Sequence, residues 1–235
     1  MAKKGVKFNL SQDPRELPAY GVVEAARYLL IPLSTLKSWV RGRPYPTQAG
    51  ERFFRPLIEL PGEGPLLSFI NLVEVYVLDA IRRKHEVRLA KIRKALDYLN
   101  SKFPSRHPLA DHRFETDGLD LFIEKYGQLI NISHRGQLEV RQLIHAYLQR
   151  IDRDPLGVPV RLYPFIRKRE LDEPRAVVID PRISFGRPVL AGTGIATAII
   201  AGRFKAGEPI EKLAEDYGRP SSEIQEAIRC ELEAA

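Results

Sequence analysis

Hydrophobic positions in the first half of the chain repeat at helical spacing in several separate stretches. Between Val23 and Trp39, Ala26, Leu29 and Leu30 mark one short helix, Pro32 discourages its continuation, and Leu33, Leu36, Trp39 and Val40 restart the period on a second. The small Ala25 and Ala26 side chains let these helices cross closely. Farther on, Ile70, Val73, Val77, Leu78 and Ile81 predict a helix from Leu67 to about Lys84, and Leu89, Ile92, Leu96 and Leu99 predict another from Arg88 to Phe103. Those stripes suit a core or a dimer seam.

Beyond Pro104 the pattern changes. Phe114, Leu121, Ile123, Leu129, Ile130 and Ile132 are punctuated by Asp117-Gly118 and Gly127, which predicts short strands and hairpin turns between Arg113 and Ser133. A helix from Gln137 to about Arg150 and a strand near Val158 to Tyr163 follow. Lys168 to Arg175 is charged and reads as a linker. After it come a strand from Ala176 to Ile179, a loop from Asp180 to Gly194 and three helices: Ala196 to Lys205, one begun by Pro209, and one capped by Ser221. The expected fold class is mainly α with a small α+β middle region. Its expected divisions are a reader at 1–65, a dimerising helix pair at 66–110, a mixed region at 111–170 and a C-terminal strand plus three-helix, helix-turn-helix-like module at 171–235.

The N-terminal pair carries the clearest chemistry. With its apolar stripe turned inward, the second helix presents Ser34, Thr35, Lys37, Ser38 and Arg41 outward, all able to meet phosphates or base edges. The same pattern also describes an ordinary helical hairpin with a solvated face. Gly42-Arg-Pro-Tyr-Pro and the segment from Gly50 to Pro56 predict a turn and a short extended wing, which adds Arg43, Arg52 and Arg55 to the basic surface. The 37 Lys and Arg against 30 Asp and Glu give a net charge of +7, so a polyanion, here double-stranded DNA, is the expected partner. A second basic run from Arg82 to Lys94 reads as the wet face of its helices.

Other chemistry finds little support. The apolar run from Leu66 to Ile81 is broken by Asn71, Glu74 and Asp79, and the N-terminus lacks an apolar signal segment, so a cytoplasmic protein without a membrane partner is expected. The single cysteine, Cys230, excludes an internal disulfide. Asp111, Asp117, Asp120 and Glu124 lack ligand spacing, and a nuclease built on Asp117, Asp120 and Glu124 would need these acids to converge on a metal. The five histidines are scattered. No catalytic residue, metal or cofactor is therefore assigned. Glu223, Glu226, Glu231 and Glu233 make the last helix a protein-binding or dimerising surface rather than a second DNA reader.

The motifs Gly186-Arg-Pro-Val189 and Gly192-Thr-Gly194 resemble those of a bacterial family of antitoxin-like domains of unknown function, in which Arg is frequent at the position of Gly194. Glu24-Ala-Ala26, Ser34-Thr-Leu-Lys37, Trp39 and the stretch from Leu67 to Glu74 resemble the longer members, which look like VapB-type antitoxins with a MerR-like reader. Pro32 departs from the small polar cap usual before the recognition helix. The resemblance implies a homodimer or hetero-oligomer that represses its own promoter and blocks the acidic site of a PIN-like ribonuclease toxin. For that contact Arg182, Arg187 and Arg203 are the candidate cations. The alternative is a stand-alone MerR-like regulator whose middle region senses a ligand or protein.

Overall fold

The computed structural model describes residues 13–48, 50–62, 64–83, 89–167 and 173–232. A two-residue strand, β1 (Tyr20–Gly21), runs directly into α1 (Val22–Tyr28), where Glu24 accepts the Gly21 N–H at 3.4 Å and so caps the helix. Leu30 then adopts a left-handed φ of 52°, which turns the chain into α2 (Leu33–Arg41). Pro32 occupies the N-cap of α2 without a capping side chain, and only its carbonyl receives the N–H groups of Thr35 and Leu36.

The chain next forms a hairpin from β2 (Arg43–Thr47) and β3 (Gly50–Phe54), with Arg43 opposite Phe54 and Tyr45 opposite Arg52. Leu66–Leu67 (β4) returns to pair antiparallel with β1. From there α3 (Phe69–Arg83) enters the interior, with Leu72, Val73, Val75, Val77, Leu78 and Ala80 all fully buried. A helix buried on nearly every side is a central helix, even where Asn71 and Glu74 interrupt its apolar surface. Its stripe therefore serves the core within one chain, as do Leu89, Ile92, Leu96 and Leu99 of α4 (Leu89–Lys102).

The strands expected between Arg113 and Ser133 are not there. A π-helical turn, Phe114–Gly118, leads into α5 (Leu119–Ile130), and α6 (His134–Leu148) follows. The buried positions of α5 are Leu119, Phe122, Ile123, Tyr126 and Gly127, a 3.6-residue period that the other apolar residues of the segment obscure. Asn131 ends α5 in the left-handed conformation, and the Ser133 hydroxyl caps α6 through the Gly136 N–H. Helices α4, α5 and α6 pack in succession, and α6 lies on α3.

The expected strand near Val158 appears as β6 (Pro159–Leu162), paired with a strand the pattern does not announce, β5 (Ile151–Arg153). Most of the expected linker, residues 168–172, lies outside the described residues. Its other end is anchored, because Glu173 is buried and accepts the N–H groups of Ile166 and Arg167. Ile179 then bridges to Leu162, and β7 (Val177–Val178) pairs with β8 (Val189–Leu190), a strand within the stretch expected to be loop. Helices α7 (Thr197–Lys205), α8 (Ile210–Tyr217) and α9 (Ser221–Leu232) complete the chain, with Ser221 as the first residue of α9 rather than its cap. One core runs from Tyr20 to Phe165 and Ile179, while Leu190, Ile200, Leu213, Ile224, Ala227 and Ile228 form a second. The result is a mainly helical fold with small strand pairs.

Candidate nucleic-acid interface

Helix α2 is fixed from below. Leu36, Trp39 and Val40 are buried, Leu33 is partly buried against the same core, and the Arg82 guanidinium lies 5.6 Å from the centre of the Trp39 ring. The Trp39 carbonyl accepts the N–H groups of Leu57 and Ile58 at 2.7 and 3.2 Å, which holds the chain leaving the hairpin against the end of α2. Gly42 makes this exit possible. Its φ is 72° and a Cβ there would lie 2.2 Å from the Phe54 carbonyl oxygen, so β2 starts immediately after the helix.

These constraints leave one polar face open. Ser34, Lys37 and Arg41 are exposed and Thr35 is half-buried. Ser38 differs from the expectation: it is half-buried, and its hydroxyl is shielded and makes no hydrogen bond. On the hairpin, Arg43, Arg52 and Arg55 are exposed, and register puts Arg43, Tyr45, Arg52 and Phe54 on one face. Arg93 of α4 stacks 5.0 Å from the Phe54 ring centre and donates to the Arg55 and Pro56 carbonyls at 2.6 Å, clamping the base of the hairpin. Between Arg41, Arg55 and Arg93 lies a surface cavity of about 840 Å³, and Arg27, Lys37 and Arg41 border a second of about 430 Å³.

The cations gathered on this face are unspent. Lys37, Arg41, Arg43, Arg52 and Arg55 make no ion pair with any described residue. Several arginines elsewhere are committed: Arg153 binds Glu115 and the Ala110 and Gly157 carbonyls, and Arg150 binds the carbonyls of Tyr163 and Glu173. Free cations gathered on a helix and an adjacent hairpin can neutralise phosphates without first breaking an internal bond.

The three C-terminal cations are not equivalent. Arg203 is held by Glu208 at 2.8 Å and by Asp216, over the Tyr217 ring. Arg182 donates twice to Asp180; burial alone would raise that carboxyl, but Arg182 and Arg161 outweigh it and hold it below the usual range. Only Arg187 of the three is exposed without a bound partner among the described residues.

The last helix is not the acidic surface its sequence suggests. Glu226 and Glu231 are buried, the first bound by Arg167 and Arg229 and the second by Arg27 and the Thr197 hydroxyl, while Glu223 pairs with Arg219. Glu233 lies outside the described residues. Cys230 is buried, and desolvation pushes its thiol up to about 12.

The middle acids are dispersed rather than convergent. Asp111 pairs with Arg113, Asp120 of α5 with Arg141 of α6, and Glu124 accepts from Gln128. Among the described residues no group of three His, Cys, Asp or Glu side chains is placed to hold a metal, and no helix is long and apolar enough to cross a membrane. One histidine joins a buried polar group that spacing did not reveal: His107 Nδ1 lies 2.9 Å from the Glu74 carboxylate and Nε2 lies 3.3 Å from that of Glu16.

Comparison with known proteins matches both ends of the chain to families. Residues 18–96 match a family described as "Putative DNA-binding HTH domain", and residues 177–229 match one described as "Protein of unknown function (DUF433)". Across 91% of its length the chain is 32% identical to the "Putative antitoxin VapB45" of Mycobacterium tuberculosis, covering 93% of that protein. It is also 28% identical to the "Uncharacterized protein Rv2308" of the same organism, over 91% of this chain and 89% of the relative. A crystal structure of Rv2018 from Mycobacterium tuberculosis superposes with a TM-score of 0.64 at 27% identity, covering 91% of this chain and 98% of that one.

Proposed function

This chain belongs to the family of the mycobacterial VapB45 protein, and from that premise we propose that it is the antitoxin of a toxin–antitoxin pair that represses its own promoter. In this reading α2 enters the major groove, with Ser34, Thr35, Lys37 and Arg41 toward bases and phosphates. The β2–β3 hairpin acts as a MerR-like wing that lays Arg43, Arg52 and Arg55 along the neighbouring backbone. The observation that carries this is the set of five free, exposed cations on α2 and the hairpin.

A homodimer would set two readers on a two-fold axis, matching a palindromic site with half-sites about one duplex turn apart. The toxin partner is a small PIN-like ribonuclease in the cytoplasm, contacted by the module beyond residue 175, where Arg187 is the available cation. No catalysis, cofactor or metal enters the scheme. Copurification of the chain with the product of the reading frame beside its gene, followed by footprinting on their promoter, tests both halves. Protection of a palindromic site and a stable complex are expected. A chain that protects no promoter sequence, or leaves the neighbouring product unbound, refutes the corresponding half.

One cavity favours the second reading, a stand-alone MerR-like regulator with a sensing region. It is about 420 Å³ and is bordered by Glu16, His107, Asp111 and Arg113. Promoter binding that changes with a small molecule, in a chain whose gene has no small nuclease gene beside it, would select that reading.

A further inference from the structure

Ser184, Phe185 and Gly186 are three consecutive residues with left-handed backbone, at φ 49°, 56° and 75°. Glycine takes this conformation freely, whereas serine and above all phenylalanine are strained in it. The surrounding structure holds them there. Gly186 donates its N–H to the Ile183 carbonyl, Arg187 donates to that of Ser184, and the Ser184 hydroxyl donates to the Gly194 carbonyl at 3.2 Å. Behind the loop Pro188 and Val189 are buried, and Gly186 presses on the Tyr20 ring.

The strained conformation gives the Phe185 side chain no burial. Phe185 is 96% exposed, and Arg187, two residues on, is exposed and makes no ion pair with any described residue. A rigid loop that presents a bare aromatic ring beside an unspent guanidinium has the make-up of an interface hot spot, and it docks without an ordering cost.

We propose that Phe185 and Arg187 together anchor the protein partner of this chain, the ring entering an apolar socket and the guanidinium pairing with carboxylates at its rim. The proposal rests on the antitoxin reading and assigns that reading its contact residues. Charge selects this occupant over two others. A nucleic acid requires several free cations, but Arg161 and Arg182 beside the loop are already bound to Asp180. Of the cavities that a second copy of the chain would offer, those beside α1 and α2 are bordered by Arg27, Lys37, Arg41, Arg55 and Arg93, so guanidinium would face guanidinium, and the one bordered by Glu16 and Asp111 has both acids already engaged, by His107 and Arg113.

The test uses the full chain, the purified product of the reading frame beside its gene, and titration calorimetry. Phe185→Ala is expected to weaken the complex at least about thirty-fold and Arg187→Gln about ten-fold, with promoter affinity unchanged. Phe185→Gly should lose binding equally while its Tm holds or rises by a degree or more, because glycine accepts a φ of 56°. Binding by Phe185→Ala within threefold of the unmodified chain overturns the anchor while leaving the antitoxin reading intact. Failure of the unmodified chain to bind the neighbouring product at micromolar concentration overturns that reading and the anchor with it.

Discussion

Arg27 on α1 donates to the Glu231 carboxylate on α9 at 2.7 Å, joining positions 204 residues apart. The other Glu231 oxygen accepts the Thr197 hydroxyl at 2.6 Å, so one buried acid ties the α1–α2 helix pair to the start of α7. The two partners differ in exposure: the Glu231 side chain is 5% accessible and that of Arg27 is 36%. Removing the arginine strands a buried carboxylate, whereas neutralising the acid frees an arginine that already reaches water. Arg27→Ala is therefore expected to cost about 1–3 kcal/mol in urea unfolding and Glu231→Gln clearly less, with the thermal transition remaining single in both. Equal losses would mean that packing rather than charge holds the junction.

The His107 group gives a pH dependence with a definite sign. Burial would lower the His107 pKa, but its bond to Glu74 and the nearby Glu16 charge overcome this and leave it raised above 6.5, while burial raises that of Glu74 above 4.5. Both shifts mean that the folded chain binds protons more tightly than the unfolded one. The stabilisation is complete below the unfolded pKa values and is lost as pH rises through the folded ones. Unfolding free energy should fall from pH 6.5 upward, and His107→Gln should flatten that fall. A stability curve that climbs between pH 6.5 and 8.5, or is unchanged in the variant, would show that this group does not govern it.

How much of this was legible depends on distance along the chain. The α1–turn–α2 unit was readable because its signals are local: an apolar period, Pro32 between the helices, and polar residues on the opposite face. The hairpin after α2 was readable from its Gly and Pro punctuation. The segment 113–133 was misread because Leu121, Leu129, Ile130 and Ile132 mask the stripe formed by Leu119, Phe122, Ile123 and Tyr126. Only packing between α4 and α6 decides between the two patterns. The acidity of α9 misleads for a related reason, since Glu231 finds its arginine 204 positions away and Glu226, besides its neighbour Arg229, binds Arg167 59 positions away, and no local pattern records those distant partners. Phe185 gave no signal at all: an exposed aromatic in a left-handed backbone looks in sequence like any core residue.

Gly186 of the Gly-Arg-Pro-Val motif has a packing reason that the motif does not state. At φ 75° an added Cβ would lie 2.1 Å from the Tyr20 hydroxyl, the end of a ring buried in the first strand. Gly192 has nearly the same φ, 74°, but opens onto free space. Gly192→Ala should therefore cost about 1–2 kcal/mol for backbone strain alone, and Gly186→Ala clearly more. The Tyr20 hydroxyl is buried without a hydrogen-bond partner, so Tyr20→Phe is expected to be close to neutral and to recover part of the Gly186→Ala loss. A double-mutant cycle with no coupling between positions 20 and 186 would contradict this contact.

The reader face itself separates contact from scaffold. Lys37 and Arg41 are exposed and unpaired among the described residues, so replacing either with alanine removes no internal bond and should leave the thermal transition unchanged. On promoter DNA, Lys37→Ala or Arg41→Ala is expected to cost about 1–3 kcal/mol where the side chain meets a base edge, or to lower the salt slope by about one where it meets a phosphate. Trp39 lies on the opposite face, buried beneath the Arg82 guanidinium, and Trp39→Ala should cost about 3–5 kcal/mol of stability and abolish promoter binding through loss of the helix pair. Fluorescence anisotropy across a salt series, read beside urea unfolding, distinguishes the two classes. If Lys37→Ala and Arg41→Ala both bind with unchanged affinity and unchanged salt slope, α2 is not the recognition helix and the free cations of the hairpin must carry the contact alone.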